Sequence, residues 1–165
     1  MQEIAAAADM TKGAPYYHFR DKEDLFVHVF LREMHLLTDA LSECLASATT
    51  FRDRLLAVVT IAVESGRSSF GQLVTEFDRH VSPERRRQLK QEHAAPAGVV
   101  RAIFERAAQE GDLRRVDAAT AYAVFIAILI GQGEIVRTEP ELQEAIGWNA
   151  IAAPEAVVDL FLGGV

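Results

Sequence analysis

The chain has 165 residues, half of them apolar, and a formal net charge of −7. This length and apolar content favour a folded domain with a sizeable core and exclude a disordered chain. The negative charge argues against attraction of the whole protein to nucleic acid, so any contact with phosphates must come from a local group of Lys and Arg. Cys44 is the only cysteine, which excludes an intrachain disulfide and a cysteine-rich metal site.

Targeting and membrane signals are weak in this sequence. The N-terminus lacks a basic stretch followed by an apolar one, which is the pattern of a secretory signal. The longest apolar run covers 118–130 with one Thr, and crossing a bilayer takes about 20 residues. We therefore expect a soluble, cytoplasmic protein.

The periodicity of apolar residues predicts an all-α protein, without alternating strand patterns. A short helix over 1–8 leads through a turn to a second helix over 12–19, with Thr11 as its N-cap. Asp21 is placed to cap a third helix that runs to about Ala46, with an acidic residue in the capping-box position. At about 1.5 Å per residue, this third helix is long enough to connect two parts of a protein.

Five further helices are predicted in the rest of the chain. They cover 51–65 with Gly66 as the break, an amphipathic stretch over 70–81, a helix from Ser82-Pro83 with a kink at Pro96 and a stop at Gly111, then 118–137 and 154–162. No internal repeat or low-complexity linker interrupts them.

The second predicted helix has the layout of a helix that reads DNA. On a wheel of about 100° per residue, its inward side carries Pro15 and Phe19, its outward side Gly13, Ala14 and Tyr17, and its flanks Tyr16 and His18. A slim tip with donors on both sides suits the major groove and its two phosphate walls. Gly13 costs about 0.8–1 kcal/mol of helix propensity, and close approach to DNA would explain its presence. Lys22 adds a cation beside the free N–H groups of the next helix.

This segment resembles the helix-turn-helix of the TetR family of transcriptional regulators. The resemblance rests on Ile4-Ala5, Thr11-Lys12-Gly13-Ala14, Tyr16, His18-Phe19 and Lys22-Glu23-Asp24-Leu25. It implies that Thr11, Lys12, Gly13, Ala14 and Tyr17 face bases or nearby backbone, and that Tyr16, His18 and Lys22 contact phosphates. Pro15 stands where the family often has leucine. Family members begin with a further helix ahead of the segment that opens this chain. We expect truncation or incomplete representation of the DNA-binding unit, the alternative being a real loss of that helix, and in either case a frayed unit with weakened DNA affinity.

The resemblance also implies a DNA-binding unit over 1–28 and a ligand-binding and dimerisation bundle over 29–165. A ligand pocket is mostly apolar with few polar groups, and the candidate lining residues are Phe70, Phe77, His80, His93, Phe104, Tyr122, Phe125 and Gln132. Each aromatic residue taken alone is equally explained as ordinary core.

The helix over 118–130 is apolar nearly all round, so it needs a cover on both sides, and a partner subunit is the natural second cover. The family dimerises through its last two helices, which implies an isologous four-helix interface with Trp148 in the loop between them. The candidate interface residues are Ala121, Ile128, Gly131, Val158 and Phe161.

Other patterns carry less information. Gly131-Gln132-Gly133 follows a helical run instead of a strand, which disfavours a nucleotide loop. His80 and His93 lack the spacing of metal ligands, so we predict no metal and no cofactor. Arg85-Arg86-Arg87 is interpreted as a solvated helix face and Cys44 as a buried filler. The sequence has no nucleophile-elbow pattern, so we do not expect an enzyme.

The sequence therefore predicts a ligand-responsive DNA-binding transcriptional regulator, of a family whose members are most often repressors. A homodimer would bind a palindromic operator and release it when a small apolar or amphipathic effector shifts the long third helix. The alternative is a small-molecule-binding helical dimer without competent DNA binding. An all-α enzyme is a further alternative that no group of residues supports.

Overall fold

The computed structural model describes residues 2–7, 9, 11, 13–67, 73, 76–77, 79–137, 140–145 and 153–163. Throughout these residues the regular secondary structure is helical, which confirms the all-α prediction. We number the helices α1 (Gln2–Ala7), α2 (Ala14–His18), α3 (Lys22–Ser47), α4 (Phe51–Arg67), α5 (Pro83–Gln88), α6 (Lys90–Glu110), α7 (Ala118–Arg137), α8 (Pro140–Ala145) and α9 (Pro154–Leu162). None of the described helices is long and apolar enough to cross a membrane.

Four predicted helix ends are confirmed by a capping residue, whereas Thr11, predicted as the N-cap of the second helix, does not directly precede α2, which begins at Ala14. The Asp21 carboxylate accepts the N–H of Asp24 at 2.8 Å at the start of α3. Ser82 caps α5, with Pro83 in the first helical turn. Gly111 closes α6 in the left-handed region, at a φ of 82° that favours glycine. Asp117 accepts the N–H of Thr120 at 2.9 Å and so begins α7.

Three helix boundaries differ from the prediction and one helix is additional, while much of the amphipathic stretch predicted over 70–81 lies outside the described residues. α2 begins at Ala14 instead of residue 12, because Pro15 is tolerated only in the first turn and the helix starts next to it. α4 continues to Arg67, since one glycine costs only about 1 kcal/mol, which the packing of the helix offsets. The helix expected from Ser82 onward is divided at Leu89 into α5 and α6. The short helix α8 was not predicted.

The main hydrophobic core lies between α4, α6, α7 and α9, with the C-terminal half of α3 against it. Phe104 is fully buried at its centre. Its ring centroid lies 5.4 Å from that of Phe125, 5.6 Å from that of Phe51 and 6.1 Å from that of Phe161. These edge-to-face and tilted contacts fill the described core with aromatic side chains.

A second, smaller core lies at the other end of α3. Here the N-terminal half of α3 contributes Val27, Phe30 and Met34, which pack with Phe77, Val81 and Leu89. The rings of Phe30 and Phe77 approach to 4.1 Å between centroids. α3 therefore joins both cores.

Ion pairs connect the helices around the main core. The buried guanidinium of Arg54 lies 3.1 Å from the Glu110 carboxylate at the end of α6 and donates to the carbonyl oxygen of Thr49. Arg52 pairs with Asp159 of α9 at 2.8 Å. Cys44 is exposed, so the prediction that it fills the core is wrong. Cys44 lies on the solvent-facing side of α3, which the periodicity of apolar residues did not identify.

Candidate nucleic-acid interface

The turn between α1 and α2 sets the direction of α2. Asp9 adopts a φ of 53°, the left-handed conformation that aspartate tolerates better than most residues. The carbonyl oxygen of Thr11 accepts the N–H of Ala14 at 3.0 Å, and that of Gly13 accepts the N–H of Tyr16 at 3.1 Å. These bonds form a tight turn that leads directly into α2.

The outer side of this segment is open to solvent. Tyr16 is 55% exposed and Tyr17 is 88% exposed, unusual values for large aromatic side chains. A Cβ placed on Gly13 would meet no atom of the protein within 4 Å, and its backbone does not require glycine. The packing of the chain thus gives no reason for a glycine at this position, whereas close approach of another molecule would.

The structure places the predicted DNA-contacting residues as follows. Thr11, Gly13, Tyr16, Tyr17, His18 and Lys22 are exposed, Ala14 is half-buried, and Lys12 lies outside the described residues. Phe19 is half-buried, and its ring packs edge-on against that of His28 at 5.3 Å. This contact attaches the end of α2 to α3 while the opposite side of α2 stays free.

A buried carboxylate connects the residues that follow α2 with α3 and α5. Oδ2 of Asp24 accepts the backbone N–H of Arg20 at 3.2 Å, and Oδ1 accepts a hydrogen bond from the Arg20 guanidinium at 3.0 Å. The guanidinium of Arg85, in α5, lies 3.4 Å from the same Oδ1 atom. Hydrogen bonds from Arg20, through its side chain first and its backbone second, lower the pKa of Asp24 to about 2. Asp24 is therefore ionised at neutral pH.

Glu23 makes a second link to α5. Its carboxylate accepts the N–H of Ser82 at 2.9 Å and the hydroxyl of Ser82 at 2.8 Å. A cleft of about 230 Å³ lies between the start of α3 and α5. Its lining includes Arg20, Asp21, Glu23, Asp24, Glu84 and Arg85. Because these side chains are charged, the cleft does not have the apolar character expected of the effector pocket.

Sequence reasoning missed this junction. Arg85 was assigned to a solvated face, but it is half-buried and pairs with Asp24, which is 61 residues away. Arg87 does lie on the solvent side, where it pairs with Glu84 at 2.8 Å. The sequence did indicate part of this junction, because Arg20 precedes the cap and Asp24 follows it. Only the fold could show that Arg85 is the third member.

The predicted pocket residues do not form one group. Phe77 belongs to the smaller core, and the His80 ring lies 5.1 Å from that of Phe26 on the same side of the molecule. Phe104 and Phe125 are fully buried in the main core, where Tyr122 packs edge-on against Phe104 at 5.9 Å. Phe70 and the side chains of His93 and Gln132 lie outside the described residues. The set is therefore divided between two cores, because sequence patterns identify buried residues without saying which core they join.

The predicted interface residues differ in their exposure. Ala121, Val158 and Phe161 are buried in the core of the protomer itself, and Ile128 packs partly against that core. Gly131 is exposed, and Trp148 lies outside the described residues. Among the described side chains, the apolar ones that reach the surface of α7 and α9 are Ala119, Ala123, Val124, Ala127, Ile130, Ala156 and Leu160. A helix that is apolar all round gives no periodicity from which to tell its inner face from its outer one.

Among the described residues, no group of three or more His, Cys, Asp or Glu side chains is arranged to hold a metal ion. The candidate site therefore consists of the exposed surface of α2 and the neighbouring charged group of Arg20, Asp24 and Arg85.

Comparison with known proteins supports the resemblance found in the sequence. Residues 1–29 match the family model of bacterial regulatory proteins of the TetR family, which confirms the resemblance for the N-terminal segment. The fold extends the likeness to the whole chain. FadR from Bacillus subtilis, solved in complex with stearoyl-CoA, is 18% identical, with 98% of this chain and 86% of that chain covered and a TM-score of 0.74.

Two further solved structures share this fold. PfmR, a TetR family transcriptional regulator from Thermus thermophilus, is 23% identical, with 99% of this chain and 84% of that chain covered and a TM-score of 0.74. AibR, solved in complex with isovaleryl coenzyme A and operator DNA, is 21% identical, with 98% of this chain and 84% of that chain covered and a TM-score of 0.68. These likenesses establish a fold with an N-terminal helix-turn-helix and a C-terminal helical body.

Proposed function

We propose, from the TetR-family motif in residues 1–29 and the fold shared with that family's regulators, that this chain is a ligand-responsive transcriptional regulator. The observation that carries the proposal is the open surface of α2, where an unobstructed Gly13 lies beside the exposed rings of Tyr16 and Tyr17. A slim helix tip with donors at its flanks suits a major groove and its phosphate walls. Thr11, Lys12, Gly13, Ala14 and Tyr17 are proposed to face bases or nearby backbone, and Tyr16, His18 and Lys22 to contact phosphates.

We propose two functional regions: residues 1–28 bind DNA, and residues 29–165 bind the effector and form the dimer. α3 spans residue 28 as one continuous helix of 26 residues. A displacement of its C-terminal half, which packs on the main core, therefore reaches α2 through a rigid element. Swinging the protein from mostly bound to mostly released requires an effector with about 5.5 kcal/mol of differential affinity for the two states.

A second copy of the chain is the proposed partner of α7 and α9. On α7 the exposed Ala123, Ala127 and Gly131 recur at every fourth residue, with Val124 and Ile130 beside them. On α9 Ala156 and Leu160 form the corresponding exposed stripe. Small residues allow close approach of helices and the larger ones supply apolar area, so an isologous four-helix contact would bury both stripes. Such a homodimer would present two α2 helices to an operator with two-fold symmetry, and we propose repression as the outcome.

The proposed effector is an acyl-CoA or a chemically similar amphipathic molecule. Two of the structures that share the fold hold acyl-CoA molecules, stearoyl-CoA in FadR and isovaleryl coenzyme A in AibR. In this chain the interior between α4, α6 and α7 is apolar and aromatic, and an acyl chain would have to displace part of its packing to enter. Thermal unfolding with stearoyl-CoA, isovaleryl-CoA and free CoA tests this directly. We expect either acyl-CoA to raise the unfolding temperature and to weaken DNA binding, and equal behaviour with all three would contradict the assignment.

The experiment that tests DNA binding is selection from a pool of duplexes with a randomised central segment. We expect enrichment of a two-fold symmetric sequence whose affinity falls as salt concentration rises, because phosphate contacts release counterions. Tyr17→Ala should lower affinity for the enriched duplex without changing the unfolding temperature, since the side chain is exposed. Leu36→Ala, at an exposed apolar position of α3, is the matched control. If no sequence is enriched, the DNA-binding proposal fails and the alternative, a ligand-binding helical dimer without DNA binding, is favoured.

A further inference from the structure

Asp24 lies where three parts of the chain meet. These parts are the loop after α2, the first turn of α3 and the start of α5. The side chain of Asp24 is only 7% exposed, and a carboxylate withdrawn from water is costly unless charged partners hold it. Arg20 and Arg85 contact it from opposite elements, and the Nδ1 atom of His28 lies 3.9 Å away. The carboxylate is thus held in one orientation by partners that differ in exposure.

Arg20 is the exposed partner. The side chain of Arg20 is 74% exposed. Two hydrogen bonds nevertheless join Arg20 to Asp24, one donated by its backbone N–H and one by its guanidinium. A guanidinium carries five N–H donors in a rigid fork, so the bond to Asp24 leaves donors that point elsewhere. Arg20 follows the end of α2 and precedes Lys22, which is itself proposed to contact a phosphate.

We propose that Arg20 contacts a phosphate of the operator and that Asp24 is the positioning residue that holds the Arg20 guanidinium for this contact. Arg85, from α5, contacts the same Oδ1 atom of Asp24 and so helps to hold the carboxylate in place. The inference rests on the proposed DNA binding and adds a phosphate contact that the helix-turn-helix motif did not assign. A fixed guanidinium loses less side-chain freedom on binding than a mobile one, which strengthens the contact.

The effect of charge separates this proposal from a merely structural role. Asp24→Asn removes a negative charge close to the proposed DNA surface, and charge alone would strengthen binding to a polyanion. We expect weaker binding instead, because the guanidinium of Arg20 is no longer fixed. Asp9→Asn removes a charge from the same unit, at an exposed turn position whose backbone conformation asparagine tolerates. This control should bind as tightly as the original chain or more tightly.

The experiment measures affinity for the enriched duplex over a range of salt concentrations. Each phosphate contact contributes about 0.9 to the slope of log affinity against log salt, and the proposed dimer carries two copies of Arg20. Arg20→Gln should therefore reduce the slope by about 2 and weaken binding about 60-fold near 0.1 M salt. Asp24→Asn should give a similar loss of slope, and the double variant should lose little more than either single one.

The possible results separate the two proposals. If no duplex is enriched, the DNA-binding function itself fails. If a duplex is enriched but Arg20→Gln keeps the original slope, or if Asp24→Asn binds more tightly than the original chain, only the role of Arg20 and Asp24 is overturned. Arg20→Gln changes a largely exposed side chain, so the test stands even where Asp24→Asn does not fold.

Discussion

Replacing Leu160 with serine tests the proposed dimer surface at its most exposed apolar side chain. Leu160 is 80% exposed in the single chain, whereas its neighbour Phe161 is buried in the core. The substitution therefore leaves the fold of the protomer intact. Full burial of a leucine contributes about 1.5–3 kcal/mol, and an isologous interface loses the side chain from both subunits. The expected cost is about 2–5 kcal/mol per dimer, which raises the dissociation constant by about one and a half to three and a half orders of magnitude.

Sedimentation of the original chain and of Leu160→Ser over a range of concentrations measures this change. Leu36→Ser is the matched control, because Leu36 is also exposed and apolar but lies on α3, away from α7 and α9. The control should dimerise as the original chain does. A dimer that Leu160→Ser leaves unchanged, or one that Leu36→Ser weakens equally, would refute the assignment of the interface to α9.

Three further predictions concern stability. The pKa of Asp24 is lowered to about 2, below its unfolded value of about 3.9. Its contribution to the free energy of unfolding is therefore complete above about pH 5 and is lost as pH falls toward 2. Asp24→Asn should flatten this part of the pH profile of urea unfolding. Phe104→Ala should destabilise the protein by about 3–5 kcal/mol in urea unfolding, because the ring is fully buried among other aromatic rings, and a loss below about 1 kcal/mol would contradict its central place. Ser82→Ala should cost about 1 kcal/mol through the lost cap of α5, and an unchanged unfolding midpoint would show that this cap contributes nothing.

The sequence predicted best what neighbouring residues determine among themselves. Asp21 caps α3 through a hydrogen bond that spans three residues, and Gly111 ends α6 because only its own backbone conformation is involved. The open surface of α2 followed from the wheel positions of Gly13 and Tyr17 in the same way. Such features depend on local spacing, which the sequence contains directly.

Contacts between residues far apart in the chain could not be predicted from the sequence. Arg85 and Asp24 are separated by 61 residues, and nothing near either one indicates the other. The predicted pocket combined Phe77 with Phe104, although they lie in different cores joined by α3. On α7, Ala121 faces inward and Ala123 outward, yet both are alanines in a uniformly apolar run. Composition shows that these residues are apolar, but tertiary packing decides which of them remain exposed.

The central claim is that the tip of α2 is kept slim so that duplex DNA can approach it. Gly13→Leu tests this most directly, because the added side chain meets no atom of the protein within 4 Å at its Cβ. Gly98→Leu is the control, since Gly98 is equally open but lies on α6. We predict that Gly13→Leu leaves thermal stability within about 1 kcal/mol and weakens binding to the enriched duplex by about 10- to 100-fold, whereas Gly98→Leu leaves binding unchanged. Equal affinity of both variants for that duplex would contradict the account.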